Sequence, residues 1–177
     1  MSKLKKILII PRIHVQNANA LSSPFTIGFP AMTAWLGAVH ALQRKLHELD
    51  YPNIKFESVG VVSHDFSLQT HCEQGDYVSS IIGTGNPLDK EGKRPSFIEE
   101  ARAHLTASLV IEYTGIDVEE KEKVLSIINR IMLGKMKLAG GDILSFEYPY
   151  FTNTECISDT TKIMRKLMPG YVLIERQ

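Results

Sequence analysis

The segment from Arg102 to Tyr113 alternates between apolar and polar residues, and this alternation constrains the fold more than any other feature of the chain. Every second side chain is apolar: Ala103, Leu105, Ala107, Leu109, Ile111 and Tyr113. Because successive side chains of a strand point to opposite faces, the pattern predicts a strand with one face in a core. The other face begins with Arg102, His104, Thr106 and Ser108. The fold therefore needs a layer that covers one side of this strand.

Two helical patterns can supply that layer. The first runs from about Pro30, which suits a first helical turn, and its apolar residues recur at three- and four-residue spacing: Met32, Trp35, Leu36, Val39, Leu42, Leu46 and Leu49. The second is expected to begin at Asp117, to use Glu120 in a capping-box-like pair, and to end near Gly134. Its buried stripe would be Val124, Ile127, Ile128 and Ile131.

Further strands are predicted around these helices. Residues 4 to 15 contain the apolar run ILII and form a first strand, in which Pro11 implies an edge position or a bulge. Residues 54 to 70 form a long strand-rich segment in which Gly60 is expected to mark a bulge. The segment LAGGDIL, residues 138 to 144, predicts a glycine-rich turn that enters another strand.

The order of these elements predicts a single α+β domain over residues 1–177. It is the ferredoxin-like, or RNA-recognition-like, βαββαβ arrangement, in which an antiparallel sheet carries both helices on one face. A long excursion over about residues 72–98 separates the second and third strands, with a hairpin expected around residues 77–82. Residues from about 145 to 177 form a C-terminal addition, with a short helix and a last strand in MPGYVLIER.

The charge balance limits the possible partners. Twenty basic and twenty acidic residues give a net charge of +0, whereas autonomous nucleic-acid-binding domains usually carry an overall basic charge. A local basic groove remains compatible with this balance, because steering depends on where the charges lie. The chain lacks a secretory h-region and a run of about 20 apolar residues, so we expect it to be cytoplasmic and not embedded in a membrane.

Catalytic and metal-binding motifs are absent from the sequence. Cys72 and Cys156 form neither a disulfide framework nor a zinc signature, and no cofactor or metal is expected. His14, His64 and His104 fall on three different predicted strands. They could meet as the general acid and base of a metal-independent ribonuclease, or they could be unrelated polar strand positions. Residues 83–93, GTGNPLDKEGK, lack the GK[ST] ending of a phosphate loop, which argues against a nucleotide site.

Residues 14–30, HVQNANALSSPFTIGFP, are too polar for a strand core and too long for a tight turn. Their amides and hydroxyls could hydrogen-bond base edges or phosphates, or could satisfy the backbone of an irregular loop. In LAGGDIL, the exposed backbone amides of a glycine turn could bind phosphate, or the turn could simply connect a helix to a strand. Both alternatives stay open for each segment.

Several blocks of the chain are specific enough to compare with a known family. They are, in order, LIIPRIHVQNANALSSPFTIGFPAMTAWLGAVHALQRKL, VGVVSHDFSLQ, GNPLDKEG, EEARAHLTASL, KLAGGDIL and RKLMPGYVLIER. Together they resemble the tail subunit of the bacterial type I-F CRISPR surveillance complex, also called the Csy complex. This subunit is a member of the repeat-associated mysterious protein superfamily, and the resemblance covers nearly the whole chain.

The resemblance implies the ferredoxin-like fold, a glycine-rich loop at residues 137–144 and a thumb-like hairpin within residues 69–99. It implies a noncatalytic subunit in antiviral defence that holds the 5′ handle of the CRISPR guide RNA, pairs with the large tail subunit and abuts the backbone subunit. Members are usually much longer, so the chain is expected to correspond to the N-terminal portion of such a protein.

On this interpretation, basic side chains engage phosphates, amides read base edges or 2′-hydroxyls, and glycine backbone allows close approach. From motif position and residue chemistry, RNA contacts are predicted at Arg12, His14, Gln16, Asn17, Asn19, Ser22, Ser23, Arg102, His104, Lys137, Gly140 and Gly141. Two alternatives remain: a metal-independent CRISPR RNA-processing endoribonuclease, and a truncated subunit mimic that regulates assembly of the complex.

Overall fold

The computed structural model describes residues 4–82, 87–94 and 100–174. Its helices are α1 (Met32–His47), α2 (Lys121–Lys135) and α3 (Ile157–Lys166), and a 3-10 turn, Val118–Glu120, precedes α2. Its strands are β1 (Lys5–Asn19), β2 (Leu21–Ser23), β3 (Thr26–Ile27), β4 (Lys55–Leu68), β5 (Thr70–His71), β6 (Ser80–Ile81), β7 (Arg102–Thr114), β8 (Lys137–Leu138), β9 (Gly141–Ser145), β10 (Tyr150–Thr154) and β11 (Tyr171–Val172).

The main sheet is antiparallel and has the strand order β11-β4-β7-β1-β9-β8. One side of β1 pairs along β7, and the other side pairs first with β10 and then with β9. The alternation that predicted β7 is confirmed, because its odd-numbered residues from Ala103 to Tyr113 are all buried. The expectation of a mixed α+β protein with an antiparallel sheet is confirmed as well.

Helices α1 and α2 cover one face of this sheet. The core between them contains Trp35 and Leu42 of α1, Ile128 and Met132 of α2, and the inward side chains of β1 and β7, such as Ile111. Tyr113 is also in this core, and its hydroxyl has no hydrogen-bond partner among the described residues. Burial raises the pKa of that hydroxyl above its ordinary value, since the charged form would lose its hydration.

The C-terminal addition forms a third layer on the opposite face. Leu167, at the end of α3, packs with Ile7, Ile9 and Val62 of the sheet. The expected short helix is therefore present, and the expected last strand is reduced to the short β11, which pairs with β4. The sheet is covered on part of both faces, whereas the sequence pattern predicted helices on one face only.

The first predicted strand was too short. Strand β1 continues through Asn19, so the first part of the polar stretch is strand rather than loop. Of the two alternatives for Pro11, the bulge is correct: the register against β7 shifts between Ile10 and Ile13, and β1 is an inner strand of the sheet. Because a shift of one residue exchanges the faces of a strand, each bulge decides which side chains reach the core.

Three smaller predictions were wrong. Pairing of β4 with β7 runs through Gly60 without a shift, and the irregularities lie at Phe56/Ser58 and Ser63/Asp65. The carboxylate of Asp117 makes no capping hydrogen bond within the described chain, because the 3-10 turn separates it from α2. Pro30 precedes the first turn of α1, and its carbonyl accepts a hydrogen bond from the Trp35 indole at 3.2 Å.

The excursion begins with the hairpin of β5 and β6, in which Thr70 pairs with Ile81 and His71 with Ser80. A hairpin is therefore present, with Tyr77 in its connection rather than in its strands. Parts of the predicted excursion, residues 83–86 and 95–99, lie outside the described residues.

Gly141 lies where the backbone of β9 approaches the backbone of β1 closely, and its substitution tests that approach. A Cβ atom there would lie 2.6 Å from the Gln16 carbonyl oxygen and 2.7 Å from the Ala18 amide nitrogen. We expect Gly141→Ala to lower the free energy of unfolding by about 1–3 kcal/mol, because backbone cannot move aside as a side chain can. The measurement is urea denaturation followed by circular dichroism.

The matched control is Gly37→Ala in α1. A Cβ at Gly37 would meet nothing within 4 Å, so we expect a gain of about 0.5–1 kcal/mol from reduced chain entropy. If Gly141→Ala proved as stable as the wild type, the close β1–β9 approach would be refuted.

Candidate nucleic-acid interface

The polar stretch is half strand and half hairpin. After β1 ends at Asn19, strands β2 and β3 pair as a short hairpin, with Leu21 opposite Ile27. The Ser22 hydroxyl donates to the Thr26 carbonyl at 3.1 Å, and the Asn19 side-chain oxygen accepts from the Leu21 amide at 3.0 Å. Some of the predicted RNA-contact groups therefore satisfy the local backbone, as one of the two alternatives anticipated.

The glycine-rich segment is a tight hairpin between β8 and β9. Ala139 and Gly140 form its turn, with φ of 49° and 76°, which is the left-handed pair that a two-residue hairpin turn requires. The backbone amide of Asn19 donates a hydrogen bond to the Ala139 carbonyl at 2.8 Å, so this turn is joined to the end of β1. The two segments therefore lie together at one edge of the sheet, as their predicted order implied.

A groove of about 600 Å³ lies between these two segments and α1. Predicted contact residues that line it are Asn19, Ser22, Lys137 and Gly140. The α1 side of the groove consists largely of small residues, namely Ala31, Ala34, Gly37, Ala38 and Ala41. The Lys137 ammonium group lies 2.9 Å from the Asp142 carboxylate, and both side chains are mostly exposed. We call this cavity the α1 groove.

The remaining predicted residues lie elsewhere. Arg12 and His14 line a different cavity of about 580 Å³, together with His64, Asp65, Thr106, Ser145, Phe146 and Glu147. Arg102 pairs with the Glu100 carboxylate. The Ser23 hydroxyl accepts a hydrogen bond from the backbone amide of Phe25. Gln16 is exposed on β1, and Gly141 is buried against β1. The structure thus places four predicted residues in the α1 groove and two in the second cavity, and the other six line neither of them.

Arg12 forms a hydrogen bond with the C-terminal segment of the chain. Its guanidinium donates to the Met168 carbonyl at 2.7 Å, and its amide donates to the hydroxyl of the fully buried Ser108 at 2.9 Å. The Ser108 oxygen lies 2.6 Å from His64 Nε2, and His64 Nδ1 lies 2.7 Å from the Pro169 carbonyl. Because a carbonyl only accepts, His64 donates from Nδ1 to Pro169, and in the neutral imidazole Nε2 then accepts from the Ser108 hydroxyl.

Gln69 is a site residue that sequence reasoning missed. Its side-chain nitrogen lies 2.6 Å from the Asn17 side-chain oxygen and 3.1 Å from His104 Nε2. Its backbone joins β7 and the excursion, since its amide donates to Arg102 and its carbonyl accepts from Ile82. The sequence shows Gln69 only as a polar residue at the end of a strand pattern, which does not predict its contacts with Asn17 and His104. These contacts arise from the pairing of β4 with β7.

The three strand histidines have separate partners. His14 Nδ1 lies 3.0 Å from the Thr106 hydroxyl, His64 contacts Ser108 and Pro169, and His104 contacts Gln69. Within the described ranges, no three His, Cys, Asp or Glu side chains are grouped to hold a metal ion. Across that same part of the chain, every helix is too short or too polar to span a membrane.

The geometry defines an α+β protein with a groove of polar and small apolar residues beside a glycine hairpin. Comparison with known proteins places it among the CRISPR-associated proteins. A family model described as CRISPR-associated protein (Cas_Csy2) matches residues 8–177. The chain is 35% identical over 186 residues to CRISPR-associated protein Csy2 of Pseudomonas aeruginosa (strain UCBPP-PA14), which covers 97% of this chain and 56% of the relative. The chain belongs to the Csy2 family. It spans about half the length of that curated relative.

Asn17 lies at the second bulge of β1, and its substitution tests whether its side-chain amide or its backbone conformation contributes more to the free energy of unfolding. Its φ is 57°, in the left-handed region where Gly is favoured. We expect Asn17→Ala to lower the free energy of unfolding by about 1–2 kcal/mol, because the side-chain amide contact is lost and Ala adopts the left-handed region less readily than Asn.

Asn17→Gly is the matched control, since it removes the amide and relieves the backbone. We expect it to lose less stability than Asn17→Ala in the same urea titration. Equal losses would show that the contact with Gln69 carries the whole effect. A wild-type stability for Asn17→Ala would contradict the described bulge.

Proposed function

We propose that this chain is a noncatalytic, RNA-binding subunit of a type I-F CRISPR surveillance complex, acting in antiviral defence in the cytoplasm. In this proposal it holds the 5′ handle of the guide RNA, pairs with the large tail subunit and abuts the backbone subunit. Family membership supports the CRISPR context. The observation that carries the RNA part is the α1 groove, because predicted contact residues from two separate segments meet there.

We further propose that the fold is ferredoxin-like. The support is the order β1, α1, β4, β7, α2, β9 along the chain, with β7 between β4 and β1 and with β9 on the far side of β1. All of these neighbours are antiparallel. Folds of this class place both helices on one face, where α1 and α2 lie here.

The chemistry of the α1 groove suits a nucleic-acid backbone. Lys137 supplies a cation, Ser22 and Asn19 supply neutral donors and acceptors, and the turn at Gly140 lets a backbone approach closely. The ion pair of Lys137 with Asp142 is largely exposed, and such pairs are worth only about 0–1 kcal/mol. A phosphate can therefore replace the Asp142 carboxylate as the partner of Lys137 at little cost.

The surface around α3 and β11 supports a protein partner. Ile157, Met164, Met168, Tyr171 and Ile174 are all exposed large apolar side chains there. Met164, Met168 and Val172 also line one cavity of about 350 Å³ between α3 and the sheet, and exposed apolar surface of this kind commonly marks a protein-interaction site. Pairing with another subunit of the complex would remove this surface from water.

Lys137 and Asp142 provide the test of the RNA proposal. We expect Lys137→Ala to weaken binding of a fluorescent 5′-handle RNA and to lower the slope of log affinity against log salt concentration by about 1. We expect Asp142→Asn to strengthen binding, because it removes a competing carboxylate from the same cation. The measurement is fluorescence anisotropy across a KCl series.

Lys55→Ala is the control, since Lys55 is an exposed cation on β4 outside the α1 groove. Equal losses for Lys55→Ala and Lys137→Ala would mean that RNA is held by diffuse charge rather than by the groove. An absence of binding even at low salt, together with capture of the large tail subunit, would favour the subunit mimic instead.

A ribonuclease is the second candidate, and the cavity shared by His14 and His64 is the observation that favours it. We expect no site-specific cleavage when the chain is incubated with repeat RNA and chelator, because the strand histidines contact separate neighbours. Cleavage that disappears in His14→Ala or His104→Ala would overturn the noncatalytic proposal. Gel analysis of end-labelled RNA gives the result directly.

A further inference from the structure

Among the phenylalanines that the structure describes, Phe25 is the one left almost fully in water. Its side chain is 98% exposed at the turn of the β2–β3 hairpin. Aromatic rings normally bury large areas and contribute to cores and interfaces, so a ring left in water suggests a ligand that covers it. Phe29, only four positions later, follows the normal pattern and stacks on Trp35 with ring centroids 5.3 Å apart.

The hairpin holds Phe25 in a defined place. Ser23 pairs with Thr26 across the turn, and the Phe25 amide donates to the Ser23 hydroxyl at 3.4 Å. At the base of the hairpin, the Gly28 amide donates to the Ala20 carbonyl at 2.8 Å. The ring is therefore presented by a hydrogen-bonded hairpin, which limits the entropy that a ligand must remove on binding.

This hairpin is also a wall of the α1 groove. Leu21 and Ser22 of β2 line the groove beside Asn19, Lys137 and Gly140. Phe25 is not part of the groove lining and lies three residues beyond Ser22, at the turn of the same hairpin. The hairpin therefore carries an aromatic ring at its turn, and its β2 strand borders a groove that contains a cation and neutral polar groups.

We propose that Phe25 is a stacking platform for a nucleobase of the RNA strand held in the α1 groove. The inference rests on the proposed function, and it names a contact that the charge pattern does not reveal. Base–aromatic stacking is tolerant of sequence and does not depend on net charge. It would therefore let a chain with a net charge of +0 gain affinity without additional lysines or arginines.

A protein partner is the other class of ligand that an exposed ring can serve. The direct neighbours of Phe25 are Pro24 and Thr26, and the hairpin also carries the partly exposed apolar side chains of Leu21 and Ile27. The near-complete exposure of the ring leaves its faces open to water. The observation that favours a nucleobase over an apolar protein pocket is the adjoining α1 groove, in which Lys137, Asn19 and Ser22 supply a cation and neutral polar groups.

The experiment compares substitutions of Phe25 in the whole chain with a fluorescent 5′-handle RNA. We expect Phe25→Ala to bind roughly 5- to 100-fold more weakly with an unchanged salt slope, as for loss of one stacked base. We expect Phe25→Trp to bind at least as well as the wild type, and Phe25→Leu to bind as weakly as Phe25→Ala. Tyr77→Ala is the matched control, because Tyr77 is a fully exposed aromatic residue in the connection between β5 and β6 and does not line the α1 groove.

Fluorescence of Phe25→Trp gives a second readout. Trp35 is the one other tryptophan in the sequence and is 0% exposed, so quenching on addition of RNA reports the new residue. Quenching together with retained affinity supports stacking. An apolar but not aromatic role would appear as full binding by Phe25→Leu, and this result overturns the proposal.

The remaining outcomes separate the two proposals. Wild-type RNA binding by Phe25→Ala overturns the stacking inference and leaves the proposed function intact. Lack of RNA binding by the wild-type chain overturns both. Weaker capture of a protein subunit by Phe25→Ala, with normal RNA binding, assigns the ring to a protein partner and also overturns the inference.

Discussion

The rest of the structure depends on the pairing of β1 on both of its sides. This strand joins β7 to β9 and β10, and its register shifts twice against β7, between Ile10 and Ile13 and between Val15 and Ala18. Without the shifts, strict alternation after Ile10 would direct Arg12 and His14 into the core. The bulges instead direct Ile13, Val15 and Ala18 to the helices, where they are 0–2% exposed. They allow a polar sequence to continue a buried strand.

The same bulges determine the chemistry around the sheet. Arg12 and Asn17 have φ of 50° and 57°, and each sits at one of the shifts. Arg12 is thereby directed to the C-terminal segment and Asn17 to Gln69, so both contribute to the architecture as well as to a polar surface. Beyond the second bulge, β1 ends at Asn19, whose amide joins the glycine hairpin and closes one side of the α1 groove.

Long periodic segments were predictable because their hydrophobic spacing is repeated many times. Strand β7 and helix α1 follow their predicted ranges within a few residues, and the glycine turn lies where LAGGDIL indicated it. The extension of β1, the location of the β4 irregularities and the packing of α3 on the second face were not predictable. Each depends on one hydrogen-bond register or on a few contacts, which leave no periodic signal.

The sequence by itself determined the class of structure and the family, since periodic burial and specific blocks such as QNANALSSP are local properties of the chain. It also determined the net charge of +0 and the polar residue types that each segment can contribute to a binding site. Only the tertiary structure decided which of them meet. Asn19, Ser22, Lys137 and Gly140 share a groove, whereas Arg12, His14 and His104 do not join them there. The physical reason is that the β1–β9 pairing brings together segments more than a hundred residues apart, and sequence spacing carries no information about that contact.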